Sequence, residues 1–135
     1  MKLLFFIFFF FTYNLFAQIN KAIEEFDKKN YREAYKLFIK ENFNENPISF
    51  YYLGIMNEKG LGIEIDTQKA VELYERGSEL NEKNCLYIMG LIYLNGLYNK
   101  PSDIDKALYL LNKSDKEGKT EATLKLGEIY YYGYL

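Results

Sequence analysis

Apolar side chains recur along the chain at spacings of three and four residues. The apolar positions of two such segments are Ala70, Leu73 and Tyr74 in one, and Ala107, Leu110 and Leu111 in the other. Side chains at i, i+3 and i+4 share one face of an α-helix. The pattern therefore predicts amphipathic helices, each burying one face.

Small residues also recur, in four columns with one period. The intervals are 36 and then 37 residues, and the extra residue falls in the polar loop at 99–103, where an insertion costs little. The columns are Gly54, Gly90 and Gly127; Gly60, Gly96 and Gly133; Ser49, Cys85 and Ala122; and Ala34, Ala70 and Ala107. A phosphate-binding loop is normally made once and a stacking unit several times, so these glycines indicate a structural repeat.

Each unit is predicted to contain two helices that approach each other closely. Residues 48–59 are expected to form the first helix of one unit, with Gly54 inside it. An interior glycine costs ~1 kcal/mol relative to alanine, so a recurring one needs a packing reason. We therefore expect the second helix to pack directly on Gly54, Gly90 and Gly127.

The ends of the helices carry matching signals. Glycine can adopt the left-handed conformation that ends a helix, so Gly60 and Gly96 are predicted stops, and residues 60–62 form a stop and a turn. The predicted caps that begin second helices are Asn30, Asp66 and Asp103. The predicted stops after second helices are Asn81 and Gly118.

Two units, at residues 47–83 and 84–119, resemble Sel-one-like repeats, which are relatives of the tetratricopeptide repeat. In the first unit the resemblance rests on Ser49, Leu53, Gly54, Gly60, Leu61, Gly62, Asp66, Lys69 and Ala70. In the second it rests on Cys85, Met89, Gly90, Tyr93, Gly96, Asp103, Lys106 and Ala107. The resemblance implies an all-α fold, an α-solenoid of antiparallel helix pairs in a superhelix.

The resemblance extends to both ends of the region. Residues 120–135 match a partial unit that stops after its first helix, through Ala122, Leu126, Gly127, Tyr130 and Gly133. Residues 18–46 resemble a tetratricopeptide helix pair, through Ala22, Phe26, Tyr31, Ala34 and Phe38. The chain departs from the family pattern at Asn57, which replaces the usual Tyr, and at Gly77 and Ser78, which replace paired alanines. The secreted branch of the family ties each repeat with a disulfide, which a chain with one cysteine cannot do.

The N-terminal residues 1–17 are predicted to be a signal peptide. Lys2 precedes nine consecutive apolar residues at 3–11, and Ala17 offers a small residue for cleavage. An uncleaved membrane anchor is the main alternative, and a core strand is a further one. On this basis the protein is expected to be exported, and to be periplasmic or secreted after cleavage.

Composition limits the chemistry that the chain can perform. There is no histidine and one cysteine, so neither a zinc site nor any other metal site or cofactor is expected. Residues 1–17 hold one Lys and no acidic residue, so the formal charge without them changes from −2 to −3. A nucleic-acid-binding protein would need a basic stripe, and this charge does not suggest one. Cys85 is either a small packing residue, like Ser49 and Ala122 in its column, or a reactive thiol; packing is the prediction.

Catalysis is the alternative function that the resemblance raises, since some secreted relatives have been described as penicillin-binding or β-lactam-hydrolysing. That chemistry usually needs Ser-x-x-Lys. None of the four serines, Ser49, Ser78, Ser102 and Ser114, has lysine at the third following position. We therefore predict a protein that is not an enzyme, with no catalytic residue; a cell-envelope enzyme remains the alternative.

A protein or peptide partner is predicted to bind the concave face formed by successive first helices. Its predicted residues are Tyr51, Ile55, Glu58, Tyr87, Leu91, Leu94, Leu124, Glu128 and Tyr131. The alternative is that Tyr51 and Tyr87 belong to the core between units. The tyrosines at 130–132 and 134 could likewise be core or contact residues. Because the last unit lacks a second helix, residues 122–135 are expected to leave an apolar side open, which could serve a homo-oligomer or an oligomeric structural adaptor.

Overall fold

The computed structural model describes residues 17–43 and 45–133, with the backbone alone for residues 41–43. The helices of this region are α1 (residues 17–27), α2 (Tyr31–Phe43), α3 (Pro47–Lys59), α4 (Thr67–Glu79), α5 (Lys83–Asn95), α6 (Ile104–Lys116) and α7 (Thr120–Tyr132). Residues 1–16, which hold nearly all of the predicted signal peptide, lie outside it. Within the described region, none of the helices combines the length and apolar character needed to span a bilayer.

The helices pack in two layers. From α2 onward each helix packs against the next along the chain, and α3 also contacts α5. This places α3, α5 and α7 in a first-helix layer and α2, α4 and α6 in a second-helix layer. One apolar core runs from α1 to α6, and a smaller cluster lies around Leu111, Ala122, Leu126 and Ile129. The predicted all-α solenoid of antiparallel helix pairs is confirmed.

The predicted caps are found at most positions. Asp66 accepts a hydrogen bond from the backbone N–H of Lys69 at 2.8 Å, and Asp103 accepts one from Lys106 at 2.9 Å. Asn30 precedes α2 as predicted, but its side-chain amide donates to Glu25 at 2.9 Å and the prediction of a side-chain cap is wrong there. The predicted helix ends carry positive φ angles in the left-handed region, at Gly60, Asn81, Gly96 and Gly118.

Glycine lets the two helices of a unit approach closely at Gly54 and Gly90. A Cβ atom built on Gly54 would lie within 2.9 Å of three ring atoms of Tyr74, and one built on Gly90 would lie 2.8 Å from Cγ of Leu111. The same prediction is wrong for Gly127, where a Cβ would meet no described atom within 4 Å. The physical reason is that the described residues include no second helix after α7.

The two complete units place their large aromatic side chain on opposite helices. The second unit has Tyr93 on its first helix and Leu111 on its second helix, whereas the first unit has Asn57 and Tyr74 at the equivalent positions. Tyr74 is fully buried, and Asn57 is satisfied by donating to the carbonyl of Leu53 at 2.7 Å. The ring of Tyr74 lies against Gly54, whereas the hydroxyl of Tyr93 in the second unit accepts a hydrogen bond from the ammonium of Lys106 at 2.8 Å, so the two aromatic side chains have different surroundings.

Cys85 has the packing role predicted for it. Its side chain is fully buried, and burial raises the pKa of its thiol far above the ordinary value, so the thiol stays protonated. A Cβ built on Gly77 would lie 3.0 Å from Cβ of Cys85. The departure at Gly77 is therefore explained, since glycine makes room for the larger column residue at position 85.

Candidate functional site

The nine predicted binding residues lie on α3, α5 and α7, and we call them together the first-helix surface. They are Tyr51, Ile55 and Glu58 on α3, Tyr87, Leu91 and Leu94 on α5, and Leu124, Glu128 and Tyr131 on α7. Those on α3 and α5 are half-buried, and those on α7 are exposed. The repeat places them in equivalent positions, because a period of 36 or 37 residues returns each helix to the same orientation.

Tyr51 lines a groove of about 450 Å³ at the start of α3, which we call the Tyr51 groove. Its other lining residues are Ile23, Pro47, Ile48, Tyr52, Leu80, Asn81, Glu82, Lys83, Asn84 and Glu117. Burial, followed by the neighbouring Tyr52 and Glu82, raises the pKa of Tyr51, which keeps its hydroxyl a neutral hydrogen-bond donor. The Tyr51 groove therefore combines aromatic walls with polar groups at its rim.

Glu82 fixes one side of the Tyr51 groove. It begins α5, where its carboxylate accepts from the backbone N–H of Cys85 at 2.7 Å and from the side-chain amide of Asn84 at 2.8 Å. A carboxylate at a helix N-terminus is also favoured by the positive end of the helix dipole. Because each of its oxygens accepts one of these hydrogen bonds, Glu82 is fixed in position at the start of α5.

A second groove, of about 210 Å³, lies between α5 and α7, and we call it the Leu91 groove. Its apolar lining is Leu91, Leu94, Ile104 and Ile129, and its polar lining is Asn95, Lys125 and Glu128. Lys125 and Glu128 form an ion pair along α7. An apolar cleft with a few polar groups suits an apolar side chain whose backbone or polar end reaches the rim.

The other predicted residues have different surroundings. Ile55 packs against the main core, and Tyr87 packs against the smaller cluster with the ammonium of Lys119 5.7 Å from its ring centroid. The carboxylate of Glu58 accepts hydrogen bonds from the hydroxyls of Tyr74 at 3.0 Å and Tyr98 at 2.7 Å. Glu58 therefore joins α3 to α4 and to the loop after α5, which gives it a structural task on this surface.

The tyrosines at 130–132 are exposed and do not belong to the core of the described region. Tyr130, Tyr131 and Tyr132 are 60%, 80% and 71% exposed. Tyr134 lies outside the described residues. Three neighbouring exposed rings at the end of a short helix form an apolar patch of the kind that contacts other proteins.

Sequence reasoning missed several residues of the Tyr51 groove. Ile48 stands at i−3 from Tyr51 and shares its face of α3, so a helical wheel centred on Tyr51 would have included it, whereas Tyr52 at i+1 lies about 100° further round the helix. Lys83, Asn84 and Glu117 come from the junctions between units. No local pattern marks such junction residues, because their place in the groove depends on how one unit stacks on the next.

Potential metal ligands and two buried nucleophilic side chains of the described region can be located in the structure. Across residues 17–43 and 45–133, His, Cys, Asp and Glu side chains form no group of three that could hold a metal ion. The buried thiol of Cys85 stays protonated, and the buried hydroxyl of Ser114 donates to the carbonyl of Lys83 at 2.7 Å. What the first-helix surface presents is two grooves and exposed apolar side chains.

The model of one protein family, described as Sel1 repeat, matches the sequence four times. The matched residues are 26–40, 50–82, 84–114 and 120–134, which together exceed half of the chain. The chain belongs to the Sel1 repeat family. Sel1 repeat proteins generally mediate protein–protein interactions, and the Sel1 fold is typically a non-enzymatic scaffold.

Curated relatives of this Sel1 repeat protein are found in Schizosaccharomyces pombe. The chain is 26% identical over 106 residues to chitin synthase regulatory factor 3, and 29% identical over 107 residues to chitin synthase regulatory factor 2. These matches cover 76% and 77% of this chain, but only 11% and 21% of the two relatives. The similarity therefore concerns the repeat region and not the whole of either relative.

Two solved structures share the Sel1 repeat fold. A Sel1 repeat protein from Oxalobacter formigenes has a TM-score of 0.78 at 21% identity, over 87% of this chain and 49% of that one. A protective antigen present in uropathogenic Escherichia coli strains, which displays an SLR fold, has a TM-score of 0.76 at 24% identity, over 87% and 26% of the two chains. At these identities the likeness establishes the fold alone.

Proposed function

We propose that this Sel1 repeat protein is an exported interaction module that binds a peptide or protein on its first-helix surface. The observation that carries the proposal is the pair of grooves along one layer, at Tyr51 and at Leu91, continued by exposed Leu124 and Tyr131 on α7. A preformed surface of this kind binds without the entropic loss of ordering a flexible site.

The chemistry of the surface favours an amphipathic helix or an extended segment as the bound element. Both grooves are lined by apolar and polar side chains, and α5 contributes residues to each of them. A segment with apolar side chains at regular spacing could place one in each groove and keep its polar groups at the rim. Tyrosine at such a surface combines a large apolar ring with a hydroxyl that can hydrogen-bond at the edge.

The relatives support a binding role, and the N-terminal sequence supports export. Both curated relatives are named as regulatory factors of chitin synthase. In this chain, export is proposed from the apolar residues 3–11 between Lys2 and Ala17. The partner is then expected in the cell envelope or outside the cell.

A pull-down with residues 18–135 from envelope and secreted fractions tests the proposal. We expect the parent to retain a partner that the variant with Tyr51, Tyr87 and Tyr131 all changed to Ala loses by at least tenfold, because tyrosines often dominate interface energies. Tyr109→Ala is the matched control, since Tyr109 is an exposed tyrosine of the second-helix layer. Equal retention by the triple variant, with helicity confirmed by circular dichroism, would place binding elsewhere.

A further inference from the structure

Helix α7 leaves exposed a face that α3 and α5 bury. The three sets of equivalent positions are Phe50, Leu86 and Thr123; Gly54, Gly90 and Gly127; and Asn57, Tyr93 and Tyr130. Every member on α3 and α5 is buried, and every member on α7 is exposed. We call Thr123, Gly127 and Tyr130 the open stripe. They stand at i, i+4 and i+7, so they form one line along α7, and none of them is charged.

The complete units show what fills such a stripe. In the first unit Gly54 leaves a gap where a side chain would stand, which we call a notch. The ring of Tyr74 from the antiparallel helix α4 fills this notch. In the second unit the notch at Gly90 receives the side chain of Leu111 from the antiparallel helix α6. A glycine at this position thus accepts one large side chain from a helix that runs in the opposite direction.

The open stripe has both groups that make this contact, a glycine and a large side chain, on one helix. Gly127 is the notch, since a Cβ there would meet no described atom within 4 Å. Tyr130 supplies a large ring that is 60% exposed. The two residues are three apart, which is ~4.5 Å along the helix axis. They therefore lie on adjacent turns.

We propose that two copies of this chain associate through antiparallel α7 helices. Tyr130 of each copy fills the Gly127 notch of the other copy, which reproduces the contact between Tyr74 and Gly54. A two-fold axis between the copies forms both contacts at once, as in any isologous interface. A second copy is the favoured occupant because it supplies a matching ring and a matching notch at the required spacing.

The polar character of the open stripe is compatible with burial against a second copy. The hydroxyl of Thr123 already donates to Asp115, so covering it leaves no unpaired donor. Thr123, Gly127 and Tyr130 are themselves all uncharged. One helix from each copy buries less than the ~1,600 Å² of a standard interface, so the association is expected to be weak and reversible.

The open stripe is separate from the first-helix surface, so this association does not depend on the proposed function. Leu124 and Tyr131, which belong to the first-helix surface, lie on the neighbouring side of α7. A partner on that surface and a second copy on the open stripe can be detected independently.

Site-specific photo-crosslinking in cells tests the association. The full chain carries a benzophenone amino acid in place of Tyr131, which lies next to the open stripe and is 80% exposed. Two differently tagged forms are expressed together, and adducts between them are mapped by mass spectrometry. We expect an adduct to α7 of the second copy, reduced at least tenfold by Gly127→Leu and by Tyr130→Ala and unchanged by Tyr109→Ala.

The variants keep the test independent of folding. Gly127→Leu has room in the single chain, and thermal unfolding followed by circular dichroism confirms that each variant remains helical. Absence of an adduct between copies would overturn the proposal, and so would an adduct that persists equally in Gly127→Leu. An adduct to another protein, formed through the first-helix surface, would differ in mass and would survive Gly127→Leu, so failure of self-association is distinguishable from failure of the proposed function.

Discussion

Changing Tyr74 to alanine is expected to lower the free energy of unfolding by ~3–5 kcal/mol, which is the usual loss for a buried aromatic side chain. The ring is fully buried between α3 and α4 and covers Gly54. Its removal would leave a cavity over Gly54 in the first complete unit, and glycine has no side chain to fill it. Such a loss is a large part of the ~5–15 kcal/mol that stabilises a typical domain. Urea unfolding of residues 18–135, followed by circular dichroism, measures it.

Two further variants separate the ring of Tyr74 from its hydroxyl. Tyr74→Phe keeps the ring and removes the hydrogen bond to Glu58, so a smaller loss of ~1–2 kcal/mol is expected. Tyr109→Ala changes an exposed tyrosine on α6 and should alter stability by less than ~0.5 kcal/mol. If Tyr74→Ala were as mild as Tyr109→Ala, the packing of Tyr74 on Gly54 would be wrong.

The same substitution at two equivalent glycines is expected to have opposite effects. Gly54→Ala should destabilise the chain by ~1–3 kcal/mol, because the new methyl group would lie 2.6 Å from Cδ1 of the buried Tyr74 ring. Gly127→Ala should stabilise it by up to ~1 kcal/mol, because alanine is the better helix former and nothing described lies within 4 Å. Urea unfolding of both variants, at a concentration that keeps the chain monomeric, shows whether each substitution raises or lowers the free energy of unfolding.

The repeat makes Gly54 and Gly127 a matched pair for this comparison of alanine substitutions. Gly54 and Gly127 occupy the same column of the repeat and lie inside helices of the same length, so their intrinsic helix propensities are matched. Equal destabilisation by both substitutions would mean that Gly127 already has a partner helix in the folded chain. Stabilisation by both would mean that α3 and α4 are further apart than the structure has them.

The fold could be predicted from the sequence because a repeat tests the same prediction several times. One glycine inside a helix says little, but Gly54, Gly90 and Gly127 at one period indicate a packing rule. The prediction of close helix packing was right at Gly54 and Gly90, where a second helix follows. It was wrong at Gly127, because the described residues include no second helix after α7. Asn57 shows the same limit: only the structure reveals that its buried side-chain amide donates to the carbonyl of Leu53.

The binding surface was less accessible to sequence reasoning than the fold. Periodicity placed Tyr51, Leu91 and Glu128 on one layer, and the structure brings Leu91 and Glu128 together in one groove. It could not show that Glu58 is held by the hydroxyls of Tyr74 and Tyr98, or that Lys83 lines the Tyr51 groove, since these contacts join residues that are far apart in the sequence. Which of the nine residues contact a partner stays a prediction.

The most direct test of the first-helix surface is the dissociation constant of a captured partner for three forms of residues 18–135. The forms are the parent, Tyr131→Ala on the first-helix layer, and Tyr109→Ala on the second-helix layer, and both tyrosines are exposed, so the fold is preserved. We predict binding weakened by about tenfold or more, ~1.4 kcal/mol, for Tyr131→Ala and unchanged for Tyr109→Ala. Weaker binding for Tyr109→Ala, with Tyr131→Ala unchanged, would contradict the assignment and place the partner on the second-helix layer.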